Sequence, residues 1–129
     1  MSITLARVVI LGGGPVLPIS GYASAVTLTT NDYTAVINAT AGPVTVSLPP
    51  VISTPGRIFI VKKGDATANS VIIAPNGTDT IDGAALYFLI TLNDVVGIQS
   101  DGNHVWHVIF CCITPVEPPP PPMIAPPPP

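Results

Sequence analysis

The sequence predicts an all-β protein: a compact antiparallel β-sandwich or barrel with an extended N-terminal arm and a polyproline C-terminal tail. Three observations predict it. Short β-branched runs recur along the chain, and no segment carries a helical period. Gly, Pro, Asn and Asp separate those runs. Residues 115–129 are mostly proline and cannot join a packed core. The expected division is an arm over 1–23, a β body over 24–114 and a tail over 115–129.

The runs that read as strands are 3–11, 25–29, 33–38, 44–48, 57–63, 70–74, 86–91, 94–100 and 104–111. Val44, Val46 and Leu48 point one way and Thr45 and Ser47 the other. Residues 57–61 and the final strand are apolar on both faces, as central strands or strands at a subunit contact are. Pro49-Pro50 ends the 44–48 strand, since proline donates no ladder hydrogen bond. Pro75-Asn76-Gly77 and Asp82-Gly83 supply residues that tolerate positive φ. Asp101-Gly102 between two strands predicts a hairpin.

The arm reads as a strand followed by Gly12-Gly13-Gly14-Pro15 and then Leu17-Pro18-Ile19, a segment whose partner lies outside its own domain. The tail, with prolines at 118–122 and 126–129, is expected as polyproline II, either a spacer or a strap on a neighbouring subunit.

Charged residues make up 9% of the chain, against roughly 25% in an ordinary domain. So few charges favour association. Four Lys and Arg residues and a net charge of −3 argue against nucleic-acid binding, which needs clustered cations. The one basic pair, Lys62-Lys63, reads as two solvated side chains at a strand end. Residues 8–19 follow Arg7 and precede Ala23-Ser24-Ala25, but the glycines interrupt any signal-peptide core. No apolar run approaches the ~20 residues of a membrane helix.

Each candidate for chemistry fails at a named residue. Val8-Val9-Ile10-Leu11-Gly12-Gly13-Gly14 resembles the opening of a dinucleotide fold, but Leu17 and Pro18 stand where a glycine and a helix are required. His104 and His107, three apart on a strand, face opposite sides and cannot readily share a metal ion. Asp65, Asp79, Asp82, Asp94 and Asp101 fall in predicted turns, where aspartate caps backbone. Asn38-Ala39-Thr40 and Asn76-Gly77-Thr78 match the glycosylation pattern, a frequent chance match in a Thr-rich chain. Cys111 and Cys112 are adjacent and point to opposite faces of a strand, so they read as small apolar residues or as partners of a neighbouring subunit's cysteines. The expectation is a non-enzymatic protein with no metal and no cofactor.

An ordered series of short pieces runs through residues 30–109. Asn31-Asp32-Tyr33 leads into a strand, then Asn38-Ala39-Thr40-Ala41-Gly42-Pro43 into Val44-Thr45-Val46-Ser47-Leu48-Pro49. Gly56-Arg57-Ile58-Phe59-Ile60-Val61-Lys62-Lys63, Ala68-Asn69-Ser70-Val71-Ile72-Ile73, Pro75-Asn76-Gly77 and Thr80-Ile81-Asp82-Gly83 follow. Ile98-Gln99-Ser100-Asp101-Gly102 and Trp106 close it. The series resembles a β domain that recurs in bacteriophage tail fibres, head fibres and capsid decoration proteins. The resemblance implies a trimeric module exposed on a virion, without catalytic residues. In long fibres the domain is one part of a larger chain, whereas here it fills most of the sequence, which favours a small capsid decoration or cement protein, or a head fibre.

The expected partners are copies of the chain itself and capsid or tail proteins of the same virion, with no nucleic acid and no membrane. Val8, Ile10, Leu17, Ile19, Phe59, Val61, Pro118, Pro122 and Met123 are the candidate assembly contacts. A receptor- or glycan-binding tip is the alternative, with Tyr22, Tyr33 and Tyr87 as the aromatic platform. A self-polymerising extracellular filament, built by strand donation, is a further one.

Overall fold

A computed structural model describes residues 16–112, and within them the alternation of apolar and polar side chains sets which face each strand turns inward. The strands are β1 (Ile19–Tyr22), β2 (Val26–Thr27), β3 (Thr34–Ile37), β4 (Val44–Ser47), β5 (Ile58–Lys63), β6 (Val71–Ala74), β7 (Thr80–Ile81), β8 (Tyr87–Leu89), β9 (Val95–Ser100) and β10 (Val105–Cys112). A 3-10 turn at Val51–Ser53 follows the Pro49-Pro50 break. The predicted 3–11 strand and the 115–129 tail lie outside the described residues.

The strands form two sheets, and the all-β expectation holds. One sheet has the order β1-β3-β5-β9-β10-β7 and the other β2-β4-β6-β8. The antiparallel expectation does not hold for the first half. β1 pairs with β3, β3 with β5, β2 with β4 and β4 with β6, all in parallel. From β1 to β6 the chain alternates between the sheets, so it winds as a flattened coil with each turn stacked on the last. Parallel neighbours need a crossover between them. Here the crossover is a strand of the opposite sheet rather than a helix.

The coil then closes with antiparallel pairings. β8 completes the smaller sheet against β6, while β9 lies between β5 and β10. The β9–β10 hairpin turns at Asp101–Gly102 as its sequence predicts, with Gly102 at φ 76°. β7 pairs in parallel with the start of β10. Asp82 and Gly83 both take positive φ in the turn after β7.

The core fills the space between the sheets. Ala35, Ile37, Phe59, Val61, Val96, Ile98 and Trp106 face inward from the larger sheet. Val44, Val46, Val71, Ile73 and Leu89 face them from the smaller one. The Phe59 and Trp106 rings lie 5.5 Å apart and tilted by 38°, a geometry that aromatic quadrupoles favour.

Three sequence expectations change here. β1 lies within the predicted arm, yet it pairs inside its own sheet, so the body extends at least to Ile19. Phe59 and Val61, candidate contacts, are fully buried in the core; the outward residues of β5 are Ile58, Ile60 and Lys62. Lys63, read as solvated, is also fully buried, because it shares the inward parity of Phe59 and Val61.

Candidate assembly surfaces

The turns are fastened by carboxylates, so the aspartates of the described residues have structural work. Asp32 accepts the N–H of Thr29 at 2.9 Å and the hydroxyl of Tyr22. Asp94 accepts the N–H groups of Ile90 at 3.0 Å and Thr91 at 2.8 Å. Asp101 accepts N–H bonds from Asn103, His104 and Val105. The Asn103 N–H first, and then His107, hold the Asp101 carboxyl down to about 2. Asp82 accepts the N–H of Val108 at 3.3 Å. Asp79 reaches across the fold to the N–H of Val51 at 2.9 Å.

Asp65 is the most deeply engaged. It accepts the N–H of Ala39 at 2.7 Å and of Thr67 at 3.0 Å, together with the Thr67 hydroxyl. Ala39 follows β3 and Asp65 follows β5, so the carboxylate ties two successive turns of the winding. The Lys63 ammonium meets it at 2.8 Å. Burial alone would raise the Asp65 pKa. The Lys63 ammonium, the Thr67 hydroxyl and the two N–H donors outweigh it and hold the carboxyl well below the usual range. Asn69 adds a bond from Nδ2 to the Ala39 carbonyl at 2.8 Å.

His104 and His107 do not converge. His107 Nε2 lies 3.1 Å from Asp101 Oδ2 and its Nδ1 lies 3.9 Å from Asp82 Oδ1. His104 Nδ1 lies 3.7 Å from Asp79 Oδ1. Among the described residues no group of three or more His, Cys, Asp or Glu is placed to hold a metal ion. Cys111 is an exposed free thiol.

Tyr22 and Tyr87 do not share a platform. Tyr22 and Tyr87 pack against the core from different sheets. The bond that Tyr22 donates to Asp32, followed by burial, raises its pKa. Tyr33 is half-buried just before β3.

The outward faces are unusually apolar. On the larger sheet Thr34, Ile60, Gly97 and Phe110 stand in one paired row. The Phe110 ring lies over Gly97, where an added Cβ would meet ring carbons at 2.2 Å. Ile58, Val36 and Val95 flank the row, half-exposed. On the smaller sheet Thr45, Ile72 and Phe88 are paired neighbours. Phe88 is 48% exposed, with Leu86 and Ile90 exposed beside it. Of the candidate contacts within the described residues, Leu17 and Ile19 are exposed at the start of the body, whereas Phe59 and Val61 are buried.

The Leu86–Phe88–Ile90 strip is absent from the sequence-based candidates. Alternation in 86–90 does place these three on one face. Because the whole run is apolar, alternation could not say which face is outward. Val8, Ile10, Pro118, Pro122 and Met123 lie outside the described residues.

No protein-family model matches the chain, and neither does any curated protein.

Proposed function

We propose that the protein is a non-enzymatic structural component of a virion surface: a small trimeric capsid decoration, cement or head-fibre protein, attached through its terminal segments. The observation that carries the reading is the pair of apolar outer faces. Ile60 and Phe110 on one sheet, and Ile72 and Phe88 on the other, leave apolar surface on both sides of a thin body. Exposed apolar patches of this kind mark interaction sites. The low charge content and the ordered resemblance of residues 30–109 to phage surface domains point the same way. Carboxylates committed to turn N–H groups fit a rigid building block better than an acid/base site.

Gold-labelled antibody against the chain, applied to particles purified from the culture that produces it, tests the reading. Label on intact particles is the expected result. Protein recovered wholly free of particles would overturn it.

A self-polymerising filament is the second reading. What favours it is that β1 and β2 are the end strands of their sheets at the same end of the winding.

A further inference from the structure

The N-terminal end of the winding leaves a strand edge whose backbone polarity can be read from the ladder. Thr34 N–H donates to the Pro18 carbonyl at 3.1 Å and Asn38 N–H to the Tyr22 carbonyl at 2.8 Å. In a parallel ladder, alternate residues turn their N–H and C=O groups to opposite sides. Pro18, Ser20 and Tyr22 therefore face β3, and Ile19 and Gly21 turn theirs outward. β3 follows the same rule on its other side, where Ile60 N–H reaches the Tyr33 carbonyl at 2.8 Å and Gly64 N–H the Ile37 carbonyl at 2.7 Å. β1 ends its sheet, so the outward groups of Ile19 and Gly21 meet no strand among the described residues. Ile19 is 70% exposed at this edge. An open apolar edge is a template for another strand.

The chain supplies a strand of matching chemistry. Residues 3–11 contain Ile3, Val8, Val9 and Ile10, with neither Pro nor Gly. The chain enters β1 through Val16, 98% exposed, and Pro18 holds Leu17 extended. Residues 12–18 can span up to about 23 Å when extended, enough to reach the edge of a contacting copy. We propose that residues 3–11 of one copy add as a strand to the outer edge of β1 in a second copy. This rests on the self-assembly reading and names its contact. The two patches differ, so copies either exchange arms reciprocally or link head-to-tail into a ring or a fibre.

Amide hydrogen exchange on the full chain, with light scattering on the same sample, tests it. In the assembled sample the Ile19 and Gly21 amides should exchange about 100-fold more slowly than in free peptide. Of Val8→Pro and Val9→Pro, made singly, one removes the N–H that faces β1, so at least one of the two should abolish that slowing and the assembly. The Lys63 and Ser100 amides, which donate to the Asp94 and Arg57 carbonyls at 2.9 Å within the larger sheet, should stay protected, showing that the body is folded. Fast exchange at Ile19 and Gly21 in an assembled sample overturns the contact and leaves the proposed function standing. Slow exchange in a monomer overturns donation by a second copy. Slow exchange that survives both proline variants means another segment covers the edge, and also overturns it. Fast exchange in a monomer overturns the contact and the self-assembly reading together.

Discussion

Removing Asp65 tests how the winding is fastened. In Asp65→Ala the Lys63 ammonium, fully buried, keeps only the Thr67 hydroxyl at 3.5 Å. The Ala39 N–H loses its 2.7 Å acceptor, and Ala39 is itself fully buried. Stranding one member of a buried ion pair costs about 3–5 kcal/mol. For a body of this size each kcal/mol lowers the melting midpoint by about 4–8 °C. Asp65→Ala should therefore melt at least ~12 °C lower. Trp106, the only tryptophan and fully buried, reports the transition by its fluorescence.

The double variant Lys63→Met/Asp65→Ala removes the stranded charge and leaves only the orphaned N–H groups, at about 1–3 kcal/mol. It should be more stable than Asp65→Ala alone. A single-variant cost under ~1 kcal/mol, or a double variant no better than the single, would refute the assignment of a buried, mutually dependent pair.

Acid should act through the same group. The folded Asp65 pKa is depressed, so its contribution is fully present above the unfolded value of about 3.9 and fades as pH falls towards the folded value. Urea midpoints should show no Asp65-dependent slope between pH 5 and pH 8 and a fall below about pH 4 that is shallower in Asp65→Ala, where Asp101 still contributes. Gly97→Ala drives a methyl into the Phe110 ring and should cost about 1–3 kcal/mol in urea titrations. Most of that should return in Gly97→Ala/Phe110→Ala, because the obstructing ring is gone.

Much of the architecture was legible in the residues. β-branched runs bounded by Pro, Gly and Asn located β3, β4, β5, β6, β9 and β10 to within a residue or two. Asp101-Gly102 located the β9–β10 hairpin. What alternation cannot convey is the partner of a strand. Val44-Thr45-Val46 reads the same whether β4 lies beside parallel β6 or an antiparallel neighbour. β1 was illegible because Ile19-Ser20-Gly21-Tyr22 follows a proline and contains a glycine. β7 holds only two residues. In β5 apolar side chains occupy both faces, so Phe59 and Val61 could be taken for surface and Lys63 for a solvated end. Their burial is decided by the opposite sheet, which no local pattern encodes. The apolar outer strip at Leu86, Phe88 and Ile90 was hidden for the same reason.

Self-assembly of the chain is the proposal on which its function rests. Size-exclusion chromatography with light scattering, on the full chain at micromolar concentration, tests it most directly. The account predicts a discrete species of three times the 13.2 kDa chain mass. A well-behaved species at the mass of a single chain, unchanged as concentration rises, would contradict it.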